Sequence, residues 1–134
     1  MIRGIIDLIV SDSTAAGLIG SFDGRVKVFP VVAEQDCPKP YTLLRRTAEV
    51  PTQVKAQGSE WDTTTVNVTA YAEKYKTCID ILNRIRTVID NFKGTSETIV
   101  YNRIVYVNSQ DLFDKDDNAF VIVDTYSVTF KRVP

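Results

Sequence analysis

The stretch SEWDTTTVNVTAYAEKYKTCIDILNRIRTVIDNF, Ser59 to Phe92, constrains the chain more than any other. It first alternates, with Val66, Val68 and Ala70 on one face and Thr65, Asn67 and Thr69 on the other, and its β-branched residues predict a strand. From Glu73 the apolar spacing lengthens. Tyr75, Cys78, Ile79, Leu82, Ile85, Ile89 and Phe92 recur at three and four, with Ile81 and Val88 widening the stripe of an amphipathic helix. Lys76, Asp80, Asn83, Arg84, Thr87 and Asp90 form its polar side, and Gly94 is the expected left-handed stop. No Gly or Pro separates the two regimes, so a long strand feeds a long helix almost directly.

The flanking segments supply the elements these two pack against. Ile2, Ile5, Ile6, Ile9 and Val10 fall at helical spacing, and Ala16, Leu18 and Ile19 continue more loosely after SDST, which predicts a helix with an interruption. Asp23 to Arg25 reads as a turn, and Val26 to Val32 as a short extended run that Pro30 confines to a sheet edge or strand end. Tyr41 to Val50 reads as a strand that pairs with the Thr65 strand through a long polar tip. The chain then forms a last hairpin. TIVYNRIVYVNSQ leads through a polar loop, DLFDKDDN, into AFVIVDTYSVTFKR, and Asn102 and Arg103 divide the first run by a turn or a bulge. The expected architecture is a single α+β domain over residues 1–134, a mainly antiparallel sheet of about four to five strands with two helices packed against it.

Composition narrows the chemistry. With no histidine, the chain has no Ser-His-Asp or Cys-His nucleophile pair and no imidazole ligand. Sixteen Lys and Arg against seventeen Asp and Glu leave a net charge of -1, which removes the usual electrostatic reason for tight binding to nucleic acid or anionic membrane. The apolar runs are shorter than a membrane helix requires and the N-terminus lacks a signal-peptide core, so the expected location is intracellular. Cys37, in a proline-rich loop, and Cys78, on the helix, are expected as reduced thiols. Asp111, Asp114, Asp116 and Asp117 form an acidic cluster. Asp114, Asp116 and Asn118 imitate the start of a calcium loop, but Ala119 stands where its Gly belongs and Thr125 where its bidentate Glu belongs. A solvated hairpin tip is the expectation, with no metal and no cofactor. GTSET lacks the lysine of a phosphate loop, and the Asn67 sequon lies in mid-strand. Trp61, the only tryptophan, suits either a core position or an interface anchor.

An N-terminal helix, KPY opening a strand, a polar loop around Gly58, TVNVTAYAEKY running into a helix, and the closing DLFDKDDNAFVIVDTYSVTF together resemble the tail completion or tail terminator proteins of long-tailed bacteriophages. The resemblance spans nearly the whole chain and is most specific over Val66 to Phe92. It implies an α+β fold and a non-enzymatic head-tail joining role. In that role a hexameric ring caps the head-proximal end of the tail tube within the virion, after assembly in the host cytoplasm. The partners implied are the tail tube protein, the head connector and further copies of the chain, with DNA passing through without tight binding. In such a ring the tip from Val50 to Asp62 is the expected contact, through Lys55, Gln57 and Trp61, and Asp114 and Asp116 belong to a second tip facing channel or solvent. Two alternatives stay open. One is a non-viral α+β interaction module paired through an edge strand near Pro30; the other is a small enzyme using Asp, Lys or Tyr.

Overall fold

The computed structural model describes residues 1–50, 61–96 and 98–132. It begins with α1 (Ile2–Ser11) and α2 (Ser13–Ile19), which are separated at Asp12. Asp12 has extended backbone, and its carboxylate accepts a 2.9 Å hydrogen bond from the Ala15 amide. The interruption expected at SDST is therefore an N-cap: an aspartate satisfies one of the orphan amides that a new helix exposes. A tight hairpin follows, β1 (Ser21–Phe22) and β2 (Arg25–Val26), turning through Asp23 and Gly24, both at positive φ.

The main sheet contains β3 (Val28–Pro30), β4 (Tyr41–Val50), β5 (Asp62–Ala72), β6 (Gly94–Ser96), β7 (Ile99–Asp114) and β8 (Ala119–Arg132), with α3 (Tyr75–Ile89) between β5 and β6. Its order is β3-β4-β5-β8-β7-β6. All neighbours are antiparallel except β3 and β4, which run parallel with Val28 beside Thr42. The sheet is thus mixed and six-stranded rather than four- to five-stranded, and three helices stand where two were expected. β3 and β6 are three residues each, too short for periodicity to reveal. Pro30 ends the edge strand, as its missing amide requires.

Two further expectations are corrected and a third is decided between its alternatives. The polar loop after Gln110 is largely strand: Leu112 pairs with Val121 and Phe113 with Phe120, leaving a turn over only 115–118. Cross-strand aromatic and aliphatic pairs outweigh the loop-like composition. The division near Asn102 is a bulge, and a second lies between Tyr106 and Asn108. Finally, the left-handed residue beyond α3 is Asn91, at φ 63°, whose amide donates to the Ile104 carbonyl at 2.6 Å, while Gly94 already belongs to β6. Asparagine tolerates this conformation nearly as well as glycine.

β5 meets α3 across Glu73 and Lys74 alone, so the strand does run almost directly into the helix. Its alternation is strict: Thr64, Val66, Val68, Ala70 and Ala72 are buried, their neighbours half-buried. The buried row meets Ile81, Leu82, Ile85 and Ile89 of α3, Ile5 and Ile9 of α1, and Ile122, Tyr126 and Val128 of β8 in one core. Each large aliphatic there is worth ~1.5–3 kcal/mol of burial. Cys78 is buried in this core and Cys37 half-buried in the 31–40 connection, both as free thiols.

Candidate assembly surfaces

The helices cover one face of the sheet, which leaves the sheet's opposite face and its two ends as candidate surfaces. On the uncovered face Thr63, Thr65, Asn67 and Thr69 of β5 stand beside Thr129, Ser127, Thr125 and Val123 of β8. Their polar groups engage one another: Thr125 Oγ1 donates to Asn67 Oδ1 at 3.1 Å, and the Thr63 and Thr129 hydroxyls lie 3.4 Å apart. The result is a band of hydroxyls and amides without formal charge across the two central strands.

One end of the sheet is the β7–β8 hairpin. Asp114 Oδ1 accepts from the amides of Asp116, at 3.0 Å, and Asp117, at 3.3 Å, so this carboxylate organises the turn. Asp117 forms a 3.2 Å ion pair with Lys39, and Tyr75 Oη donates to Asp111 Oδ2 at 2.7 Å. That hydrogen bond is the chief reason the Tyr75 phenol titrates above its ordinary value. Phe120 makes edge-to-face contacts with both Phe113 and Tyr75. Leu112 and Phe113 nonetheless remain 47% and 48% exposed, and the Asp116 side chain has no partner among the described residues. No group of three or more His, Cys, Asp or Glu able to hold a metal occurs among the described residues.

The other end carries a broad groove of about 1240 Å³ between α1, the β1–β2 hairpin and the ends of β3 and β8. Ile2, Ile6, Val26 and Phe130 supply apolar lining. Arg3 and Arg25 stand on its rim, both exposed and neither engaged by another of the described residues. Trp61 lies near this end, half-buried, with Lys131 Nζ 4.8 Å from its ring centroid. It is not a core residue, and a cation lies over one face of its ring. Lys55 and Gln57 lie outside the described residues. Trp61 and the Asp114–Asp116 turn are not brought together: Asp62 pairs with Phe130 and Ala72 with Phe120, ten residue steps apart along β8, or ~33 Å.

Beneath α3 lies a polar cluster that the sequence expectations above do not include. Asp124 is 1% exposed on the otherwise apolar face of β8, with Arg86 3.8 Å away and stacked 3.6 Å above the Tyr106 ring centroid. Burial raises the Asp124 carboxyl above its usual range, with Ser109 and Arg86 pulling the other way, and burial likewise raises the Tyr126 phenol. Arg86 Nε, Asp124 Oδ2 and Tyr126 Oη lack hydrogen-bond partners among the described residues. The signal was present in the alternation, because position 124 shares the parity of Ile122, Tyr126 and Val128.

No family model matches this sequence, and no curated protein matches it. Among solved structures, a chain of the virion of a native gene transfer agent particle has the same fold. The TM-score is 0.70, the match covers 94% of this chain and 90% of that one, and 9% of residues are identical. The likeness is one of architecture over essentially the whole domain. Among the described residues no helix is long and apolar enough to cross a membrane.

Proposed function

We propose that this protein is a non-enzymatic structural component of a phage-like virion, located in the virion. Within it, the protein forms a ring, hexameric by the resemblance drawn above, that caps the head-proximal end of a tail tube and joins it to the head connector. The observation that carries this reading is the whole-chain likeness in fold to a chain of a gene transfer agent virion, reached from a sequence whose element order already resembles tail terminators. Surfaces that differ at the two ends of the sheet also suit a ring, whose contacts join one patch to a different patch.

The test is to add the purified protein to growing tubes of the cognate tube protein and image them by negative stain. Tubes that stop elongating, with a ring at one end that recruits the connector, are expected. Tubes that grow on with bare ends, and no retention of tube or connector protein, overturn the reading.

A further inference from the structure

The exposed residues at the two ends of the sheet are complementary. The β7–β8 hairpin presents Leu112 and Phe113, each about half exposed, beside the Asp116 carboxylate, which has no partner among the described residues. The groove at the opposite end presents an apolar floor of Ile2, Ile6 and Phe130 under the guanidinium groups of Arg3 and Arg25, likewise without partners among the described residues; Asp7, Arg46 and Asp62 also line it, so three arginines stand against two aspartates. From these features we infer that the groove receives the hairpin end of a second copy of this chain, with Phe113 against the floor and Asp116 against the arginine rim, Leu112 standing on the opposite face of the hairpin.

Distance makes the contact intermolecular. Phe120, beside the hairpin end, and Phe130, in the groove, are ten residues apart on one continuous strand, ~33 Å, so no copy can fill its own groove. Composition makes it selective. Apolar area supplies most of the affinity, and the Arg–Asp pairs at the rim set register and orientation while disfavouring the like-to-like contacts of groove with groove or hairpin with hairpin. Because the two patches differ, the contact is heterologous, and repeating it generates either a closed ring or an open filament. The inference deepens the ring reading proposed above and rests on it only for closure; the pairwise contact is a property of the purified chain.

Engineered cysteines test it. In a Cys37→Ser background, with Cys78 buried, Arg25→Cys and Asp116→Cys variants are made separately, mixed and oxidised at low salt. The expected product is a disulfide-linked heterodimer in excess of its statistical share over both homodimers, reduced by Phe113→Ser in the Asp116→Cys partner. A chain carrying both cysteines gives a ladder of covalent oligomers. A statistical mixture of dimers, or a heterodimer indifferent to Phe113→Ser, overturns the inference. Because no tube or connector is present, this outcome is separable from the capping test: tubes capped without the cross-link would mean that the ring closes through other surfaces.

Discussion

Replacing Gly4 by alanine tests how closely α1 is seated on the sheet. A Cβ on Gly4 would overlap the Tyr101 hydroxyl oxygen, and would stand 3.3 Å from the ring carbon that bears it and 3.4 Å from the Ser96 carbonyl oxygen. Tyr101 is fully buried, and its hydroxyl donates to the Met1 carbonyl at 2.6 Å. Gly4→Ala therefore displaces this side chain or lifts the helix. Overpacking costs ~1–3 kcal/mol, and the lost hydrogen bond about 1 kcal/mol. The better helix propensity of alanine returns ~0.5–1 kcal/mol. The net destabilisation is roughly 2 kcal/mol, or about 8 °C in Tm for a domain of this size. Tyr101→Phe alone should cost about 1 kcal/mol by leaving the Met1 carbonyl without this donor. In the Tyr101→Phe background the overlapping atom is gone, so adding Gly4→Ala should cost nothing further. Urea denaturation of the parent, the two single variants and the double variant closes the cycle. An equal penalty for Gly4→Ala in both backgrounds would show that the hydroxyl contact is not what demands glycine at this position.

Three other perturbations probe separate parts of the fold. Arg84 grips Asp12 through Nε at 2.8 Å and a second nitrogen at 2.9 Å, which together with the Ala15 amide holds the carboxyl at about 2 instead of 3.8. A folded-state value below the unfolded one means stability present above pH ~4 and lost as pH falls toward 2. Asp12→Asn, which keeps a capping side chain, should flatten this part of a stability-against-pH curve; an unchanged curve would place the acid sensitivity elsewhere. Burial raises the Cys78 thiol to about 11, so Ellman's reagent should label one cysteine, Cys37, in the native protein and the second only in denaturant. Rapid native labelling of both would contradict the burial of α3. Ile85, fully buried, cannot become aspartate without placing an unpaired charge in the core, a loss above ~4 kcal/mol, so Ile85→Asp should abolish the cooperative unfolding transition.

Elements of ten residues or more could be read from periodicity, because repeated burial on one face imposes it. The buried row of β5 and most of the α3 stripe are the same residues in sequence and structure, except that Tyr75 is exposed and Ile81 is fully buried. What escaped was of two kinds. Short pieces such as β3 and β6 exist only through pairing with a partner strand, and three residues carry no period. Other features conflict with local composition. Residues 111–114 are polar enough to read as loop, yet β8 supplies cross-strand partners that extend β7 to Asp114. Asp124 is a charged residue in an apolar row, and its parity places it under α3. Of the five candidate residues, Trp61 carries Lys131 over its ring and Asp114 organises its own turn, while Lys55 and Gln57 lie outside the described residues. The exposed groups of the hairpin end are Asp116, itself a candidate, and the neighbouring Leu112 and Phe113.

The places where this chain departs from the rules of an isolated domain are themselves ordered. The interior between α3 and the central strands obeys them closely, apart from the Asp124 cluster. At the periphery, Val31 occupies left-handed space at φ 67°, closed by a 2.7 Å bond from the Val32 amide to the Pro30 carbonyl, a tight turn that is costly for a β-branched residue. Both valines are largely exposed, and Leu112 and Phe113 at the far end of β7 are about half exposed. Exposed apolar side chains and strained backbone reduce the stability of the isolated domain, and such departures concentrate at functional sites. A covering neighbour offsets that cost, since apolar area withdrawn from water at a contact contributes as it does in a core. The stability of this protein should therefore depend on its state of assembly, with the melting temperature rising with protein concentration once the ends are engaged.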